Sequence, residues 1–308
     1  MFSKSISKVG KRFIRSYVAE QPKRVLTYPK VVLGNVSPRN AVPDNIIKPS
    51  YYFDGSVPEN NPPMQIHDAE GIKKMKKACR ITKQAMDFVD TLIQPGVTTD
   101  EIDREYHKFA CSLGYYPASL NFSHFPKSIC ASVNDVCCHG IPDDRKLQDG
   151  DILKMDMVMF VDGYYGDMTR CYAVGNVDEQ GKRLIQCTKE ATEQAISICK
   201  AGVPYFVIGE VIDIICKKYH FQSVYDFSGH GIGKDIHQLP YIIHTHNNYP
   251  GEMVAGQTFT IEPIIVEYKN DVYVDKDDWT VRTKDQGRAA QLEHTILITD
   301  HGCEVLTA

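Results

Sequence analysis

The chain has 308 residues, of which 43% are hydrophobic and 24% are charged, and its formal net charge is −4. This composition is ordinary for a soluble globular protein, and the length allows one large domain or two small ones. There is no apolar run near the ~18 residues that a membrane-spanning helix needs, and the net −12 of residues 41–308 argues against a general nucleic-acid-binding surface.

Residues 1–20 have the composition of a targeting segment. They are basic, contain several serines, and place Phe2, Ile6, Val9 and Phe13 on one face of a possible helix. A basic amphipathic start predicts a mitochondrial transit peptide, which would direct the protein to the matrix. The alternatives are a disordered basic tail, which could also touch ribosomal RNA, and a cytoplasmic location.

Residues 21–66 hold eight of the sixteen prolines, a density that prevents regular helix and sheet. They are predicted to form an extended strap that lies partly over a folded domain at residues 67–308. The apolar residues expected to make this contact are Val42, Ile46, Ile47, Tyr51, Tyr52 and Phe53. Because the first cysteine is Cys79, the strap is not expected to be a cysteine-rich zinc module.

A repeat with an offset of 106 residues runs through the domain. Apolar positions at helical spacing predict two pairs of helices, which cover residues 72–93, 99–113, 182–200 and 205–218. Thr99 is the predicted N-cap of the second helix. Gly96 recurs as Gly202, and Ile102 recurs as Ile208.

Each helical pair leads into strands that are rich in β-branched and apolar residues. They cover residues 151–161 and 165–174, and then residues 257–266 and 290–299. A two-residue turn at Asp162-Gly163 would place Asp156 opposite Thr169 and on the same face as Asp167, at a diagonal distance of roughly 7 Å. Asp156 is also 106 residues from Glu262. The pattern therefore predicts an α+β domain of two helix-helix-hairpin units that are related by a pseudo-two-fold axis.

Four carboxylates and one imidazole in short distinctive strings could hold two divalent cations. These residues are Asp156, Asp167, His230, Glu262 and Glu293. Such a pair of cations lowers the pKa of a bound water and holds in place the carbonyl group that this water attacks. Donors without thiolate suit Mn, Fe, Co or Zn. A buried Asp156 without a partner would cost several kcal/mol, and the alternative to ligation is an ion pair with Lys154.

Local sequence supports two of these ligands. Glycines on both sides of His230 let the backbone bend towards the cations, and Pro263 after Glu262 fits a strand edge or a bulge. His244 and His246 form an H-x-H pair, but no acid or cysteine cluster accompanies them. They are predicted to be loop histidines outside the site.

Several motifs, in the same order, resemble those of the type 1 methionine aminopeptidases. The strings are Cys138-His139-Gly140-Ile141-Pro142, Gly229-His230-Gly231-Ile232-Gly233, Thr258-Phe259-Thr260-Ile261-Glu262-Pro263, Asp278-Trp279-Thr280 and Glu293-His294-Thr295. The resemblance covers about residues 67–308 and implies the pita-bread fold. It also implies removal of the N-terminal methionine from nascent polypeptides when the second residue is small. The strap resembles the mitochondrial branch of the family.

The resemblance implies a role for each site residue. Asp167 and Glu293 would bridge the metals, Asp156 with its metal would hold the free amino group, and Glu262 would carry the proton from water to the leaving amine. His237 would hydrogen-bond the substrate carbonyl, and His139 would contact the scissile nitrogen. The methionine pocket would consist of Phe122, Phe125, Cys130, Ile236 and Trp279. Phe122, Phe125 and Ile236 depart from the family pattern, as does Gln238, so the pocket shape differs.

Other readings remain open at this point. An Xaa-Pro aminopeptidase or prolidase would use the same five ligands but is expected to carry a large N-terminal domain. A non-catalytic pita-bread binding protein is expected to have lost ligands, and all are present here. The ribosome is a candidate partner, neither nucleic acid nor membrane is expected as a specific partner, and a monomer is expected.

Overall fold

The structure, a computed structural model, describes residues 26–58 and 61–308. The predicted transit peptide at residues 1–20 lies outside the described residues. The helices are α1 (Ala69–Asp90), α2 (Thr99–Ser112), α3 (Glu179–Ser197) and α4 (Phe206–Tyr219). Among the helices of this described part, none is both long and apolar enough to cross a membrane.

The strands belong to one large sheet and two small ones. They are β1 (Tyr116–Pro117), β2 (Cys130–Val133), β3 (Val136–Cys138), β4 (Ile152–Val161), β5 (Tyr164–Ala173), β6 (Gln222–Ser223), β7 (Ser228–Gly231), β8 (Gln238–Ile243), β9 (Thr258–Ile261), β10 (Ile264–Val266), β11 (Val272–Val274), β12 (Val281–Thr283), β13 (Ala289–Gln291), β14 (Glu293–Ile298) and β15 (Cys303–Val305). Two short 3-10 turns occupy Ser50–Tyr52 and Phe122–His124.

The four helices lie within three residues of their predicted ends. The predicted N-cap of α2 is wrong by one residue. Thr98 is the cap, because its hydroxyl accepts from the Glu101 N–H while the Glu101 carboxylate accepts from the Thr98 N–H. Thr99 is the first helical residue, and its hydroxyl instead contacts Asp143 of a neighbouring loop.

The large sheet has the order β1-β4-β5-β14-β9-β7-β8, with β2 beside β4 and β15 beside β14. Helix α1 packs on β4 and β5, and helix α3 packs on β9, β10 and β13. Gly166 faces α1 so closely that a Cβ there would lie 2.5 Å from the Thr82 hydroxyl. Because side chains alternate along a strand, Asp167 points to the opposite face of the sheet.

The predicted equivalence of the two halves is visible in the backbone. Gly96 and Gly202 both adopt left-handed conformations, with φ of 93° and 84°, and Ile102 and Ile208 are both fully buried. Strands β4 and β9 begin 106 residues apart. The Asp162-Gly163 turn pairs Asp156 with Thr169, which confirms the predicted register.

The second half departs from the predicted hairpin. The two predicted strands at 257–266 and 290–299 are each broken, into β9 and β10 and into β13 and β14. Strands β9 and β14 pair in the large sheet, whereas β10 and β13 pair in a three-stranded sheet with β6. Pro263 lacks the N–H that a continuous ladder would need. Glu262 and Glu293 therefore stand at the joint between two sheets.

The strap runs along the domain as an extended segment that is held mainly by side chains. Gly34 and Asn35 donate backbone N–H groups to Asp143 and Asp144, at 2.6 and 2.7 Å. The Ser37 hydroxyl donates to Asp100, at 2.6 Å. Val42, Ile46 and Tyr51 are buried as predicted, but Ile47 and Phe53 are 71% and 81% exposed, so the prediction is wrong for those two. The division at residue 67 stays a prediction.

Candidate metal centre

The five predicted ligands lie on strands or strand ends that meet at the centre of the large sheet. Asp156 is on β4, Asp167 on β5, His230 on β7, Glu262 directly after β9, and Glu293 at the start of β14. All five line one cavity of about 290 Å³. The same cavity is lined by the other seven predicted site residues, which are Phe122, Phe125, Cys130, His139, Ile236, His237 and Trp279. The structure thus brings the whole predicted set together, while the role of each residue stays a prediction.

Three of the ligands present their donor atoms as one group. One donor atom each from Asp167, His230 and Glu293 lie within 4.8 Å of one another. The His230 Nε2 atom is also 3.5 Å from Glu262 Oε1. His230 Nδ1 lies 3.1 Å from the Gly231 carbonyl oxygen. Donation of the Nδ1 proton to that carbonyl leaves the Nε2 lone pair free to bind a cation.

Asp167 shows that the cluster fits a cation. Its Oδ1 atom is buried and has no hydrogen-bond partner among the residues that the structure describes. An unpaired buried carboxylate oxygen is costly, and a metal ion is a usual remedy. The acid and imidazole donors around it are those of a Mn, Fe, Co or Zn site.

The electrostatics of the cluster point the same way. Burial raises the pKa of Asp156 to about 7 and that of Glu262 to about 8. Burial and the neighbouring carboxylates hold the pKa of Asp167 and of Glu293 well above the usual range. Four carboxylates that resist ionisation together would become stable anions beside divalent cations.

Two threonines orient the carboxylates, and the sequence reasoning missed both. The Thr169 hydroxyl donates to Glu293 Oε2 at 2.7 Å, and the Thr260 hydroxyl is 2.8 Å from Glu262 Oε1. Thr260 also accepts the His230 N–H at 3.0 Å. Both residues could have been found, because Thr169 is opposite Asp156 in the predicted register and Thr260 shares a strand face with Glu262.

His244 corrects the prediction that it is only a loop histidine. It follows β8 directly, is buried, and its Nε2 accepts the backbone N–H of Glu262 at 3.2 Å. Burial lowers its pKa to about 3, so it is neutral and can accept. His246, by contrast, is exposed, and its Nδ1 lies 3.9 Å from Glu210. No local pattern marks the difference, since it depends on how β8 packs behind Glu262.

Lys154, the alternative partner of Asp156, is buried and bonded to a different group. Its Nζ donates to the Asn134 carbonyl at 3.0 Å. The structure therefore gives this lysine a partner of its own and leaves Asp156 facing the cavity.

His139 and His237 stand beside the carboxylate cluster. The rings of His237 and His230 are perpendicular, with centroids 4.4 Å apart. Burial lowers the pKa of His139 to about 4. His237 is exposed as a residue, yet desolvation of its ring, with the nearby His230 and His139, lowers its pKa well below the ordinary value. Both rings are therefore neutral and can each donate one N–H.

The remaining predicted residues form an apolar wall of the same cavity. Phe125 and Trp279 are perpendicular, with ring centroids 5.1 Å apart, and Phe122 packs in the same way on His237 at 5.3 Å. Cys130 lies opposite Asp156 on β2, and burial holds the pKa of its thiol well above the usual range. Ile236 is buried. Sequence reasoning missed further lining residues, among them Asn61, Val158, Phe227 and Tyr241.

Comparisons with known proteins show which family this chain belongs to. The profile of metallopeptidase family M24 matches residues 73–300. Methionine aminopeptidase 1D, chloroplastic/mitochondrial, of Arabidopsis thaliana is 45% identical over 274 residues, which are 89% of this chain and 78% of that protein. The mitochondrial methionine aminopeptidase 1D of Mus musculus is 41% identical over 284 residues, 92% of this chain and 85% of that protein.

A solved structure agrees with the sequence relatives. The crystal structure of methionine aminopeptidase from Rickettsia prowazekii is 39% identical and has a TM-score of 0.78, covering 80% of this chain and 100% of that chain. The pita-bread fold predicted from the motifs is thereby confirmed. The chain belongs to metallopeptidase family M24 and, within that family, to the methionine aminopeptidases.

Proposed function

We propose that this chain removes the N-terminal methionine from nascent polypeptides whose second residue is small, using two divalent metal ions. The observation that carries the proposal is the convergence of four carboxylates and His230 on one cavity that also has an apolar wall. Asp167, Glu293 and His230 are buried, and Asp156 and Glu262 are partly buried. As an M24 metallopeptidase the chain binds divalent metal. Two ions per chain, chosen from Co, Mn, Fe and Zn, are the finer part of the proposal.

The residues proposed to hold the two ions are Asp156, Asp167, His230, Glu262 and Glu293. When bound, such ions lower the pKa of water and polarise the substrate carbonyl. Asp167 and Glu293 would be shared between the two ions, as the family resemblance implies; both are buried, and burial with the neighbouring carboxylates holds the pKa of each well above the usual range.

Glu262 is the proposed proton carrier. Its carboxylate is held on one side by the Thr260 hydroxyl, and its backbone N–H is fixed by His244. A carboxylate held in this way would accept a proton from the attacking water and return it to the leaving amine. Gln291 Nε2 lies 3.4 Å from Glu262 Oε2 and gives the Glu262 carboxylate a second contact.

The two neutral histidines are proposed to serve the substrate. His237 would donate a hydrogen bond to the carbonyl oxygen as negative charge develops there. His139 would contact the scissile nitrogen from the other side of the cavity. His139 itself has φ of 54°, and its ring lies 5.8 Å from Trp279, so the backbone turn and the indole together aim the imidazole into the cavity.

The apolar wall is proposed to bind the methionine side chain. Phe122, Phe125, Ile236 and Trp279 offer hydrocarbon and ring surfaces, and the Cys130 sulfur adds a polarizable group. A flexible thioether packs well on such a lining. Because Asp156 lies opposite Cys130 at the end of this wall, the free amino group of the first residue would be held where no further residue could precede it.

Peptide hydrolysis with defined metals tests the proposal. The protein is chelated and dialysed, and each metal is added back before release of the first residue is measured from Met-Ala-Ser, Met-Leu-Ser and Ala-Pro-Ala. We expect methionine release only after metal return, fastest from Met-Ala-Ser, with two ions per chain by elemental analysis. Full activity in stripped protein would overturn the metal mechanism, and preference for Ala-Pro-Ala would favour the Xaa-Pro peptidase reading.

We also propose that the protein works in the mitochondrial matrix, as a monomer, on chains that leave the ribosome. Support comes from the basic start of the sequence and from the mitochondrial relatives. Residues 1–40 fused to a fluorescent reporter should direct it to mitochondria, and the same fusion with Lys11, Arg12 and Arg15 changed to Glu should stay in the cytosol. A cytosolic reporter with the intact leader would contradict this location.

A further inference from the structure

Tyr51 of the strap packs behind the wall of the metal cavity through Phe122, while Asn61 of the strap lines that cavity directly. This tyrosine is buried, and its hydroxyl donates to the Ala118 carbonyl at 2.7 Å. Its ring packs perpendicular to Phe122, with centroids 5.3 Å apart. Phe122 in turn packs perpendicular to His237 at 5.3 Å. A row of three rings therefore runs from the strap to a residue beside the metal ligands.

Phe122 lies between two cavities and lines both of them. On the strap side lies a second cavity of about 450 Å³, which shares Asn61, Phe122, Ile236, His237 and Trp279 with the metal cavity. A side chain in a close-packed interior is held by neighbours on all sides. Phe122 has open space on both sides, so its position depends on the few groups that touch it. Tyr51 also lines the second cavity and is the strap's ring contact with Phe122.

The backbone that carries Phe122 is strained and tied to the strap. Asn121, Ser123 and His124 have φ of 60°, 46° and 70°, a conformation that side chains rarely adopt. The Asn121 Nδ2 atom donates to the carbonyls of Tyr51 and Tyr52, at 3.1 and 2.9 Å. Strained residues persist only where surrounding contacts fix them, and here the strap supplies two of those contacts.

We propose that Tyr51 is a positioning residue that sets the width of the methionine pocket by holding Phe122 away from the second cavity. This inference rests on the proposed function, because it assumes that Phe122 contacts the substrate side chain. Removal of the Tyr51 ring would let Phe122 move towards the strap. The pocket would then grip methionine less well and admit larger first residues.

The test compares two tyrosines of the same strap. Tyr51→Ala removes the ring behind Phe122, and Tyr51→Phe keeps the ring but removes the hydroxyl. Tyr28→Ala is the matched control, because Tyr28 also donates its hydroxyl to a domain carbonyl, that of Gln286 at 2.6 Å, and packs its ring 4.3 Å from the Arg288 guanidinium carbon. Kinetics with Met-Ala-Ser and Phe-Ala-Ser, metal content and Tm are measured for each.

For Tyr51→Ala we expect KM for Met-Ala-Ser to rise on the order of tenfold, and the preference for methionine over phenylalanine to fall by a similar factor. Metal content should match the wild type and kcat should change little. Tyr51→Phe should keep wild-type values. Tyr28→Ala should lower Tm without changing KM or preference.

An unchanged KM and preference in folded Tyr51→Ala would overturn the inference, as would an equal change in Tyr28→Ala. If Tyr51→Ala does not fold, Asn121→Gly serves in its place, because glycine accepts the left-handed backbone while the two bonds to the strap are lost. It should shift the preference in the same direction, and wild-type preference in this variant would count against the inference. Failure of the proposed function looks different, since the wild type itself would then release no methionine with any metal.

Discussion

The two halves of the domain supply carboxylates to the same cavity by different means. In the first half, Asp156 and Asp167 lie on one continuous hairpin, β4 and β5, which is joined by a two-residue turn. In the second half, Glu262 and Glu293 lie where two strands leave one sheet for another. Backbone pairing therefore fixes Asp156, Asp167 and also Glu293, whereas Glu262 follows the end of β9 and depends more on side-chain hydrogen bonds.

The contacts of the second pair bear this out. Glu262 is held by Thr260 and His244, and Glu293 is held by Thr169 of the first half. Strand β14 also pairs with β5 at Glu293 and Thr169. The second half thus uses the regular hairpin of the first to support Glu293, so the two halves of the repeat hold their carboxylates by different contacts.

The largest effect is expected from removing a central charge in either half. Asp167→Asn and Glu293→Gln should each lower activity by orders of magnitude, because each variant loses an anion that the metals need. Both should stay folded, since each relieves repulsion among buried carboxylates. Metal content and methionine release are measured together. A large loss in one variant and none in the other would show that the halves do not share the metals as proposed.

A smaller loss is expected from the two histidines, one from each half. His139→Ala and His237→Ala should lower kcat on the order of a hundredfold while metal content stays near wild type. The reason is that both rings stand beside the carboxylate cluster and, in the proposed mechanism, would donate to the substrate. Loss of metal from either variant would assign that histidine to the metals instead.

A still smaller loss is expected when the hydrogen bond between His244 and Glu262 is removed, and this tests the difference between the two halves. His244→Ala leaves the Glu262 backbone N–H without its acceptor and should weaken metal binding or activity about tenfold. His107→Ala is the control from the first half, because His107 is also buried and contacts Ser128 and the Ala41 carbonyl, at 2.8 and 2.9 Å. It should lower Tm alone. Equal loss of metal affinity in both variants would remove the distinction between the halves.

The smallest effect should be the same in both halves. Gly96 and Gly202 have positive φ, and a Cβ at either would meet nothing within 4 Å. Alanine at each position should therefore cost only the strain of a left-handed backbone, about 1 kcal/mol in the free energy of unfolding. Urea unfolding measures the cost, and activity should not change. A cost confined to one glycine would mean that the two turns are not equivalent.

The same differences between the halves explain which parts of the site could be predicted from the sequence. The Asp162-Gly163 turn fixes the register of Asp156 by local geometry, so that pairing was predictable. The break at Glu262 was not, because it depends on which sheet each strand joins after Pro263. The contact of His244 with Glu262 and that of Tyr51 with Phe122 were not predicted for the same reason: each joins residues distant in the chain, and no local spacing records such a contact.

The strap has a consequence for the order in which the molecule is completed. Its partners lie far downstream, at Asp100, Asp143, Asp178 and Gln286 among others. During synthesis the strap leaves the ribosome before those residues do, so its hydrogen-bonding groups stay with water until the residues have been made. A segment that is made early is therefore among the last to be fixed in place. The wall at Phe122 is complete only after nearly the whole chain exists.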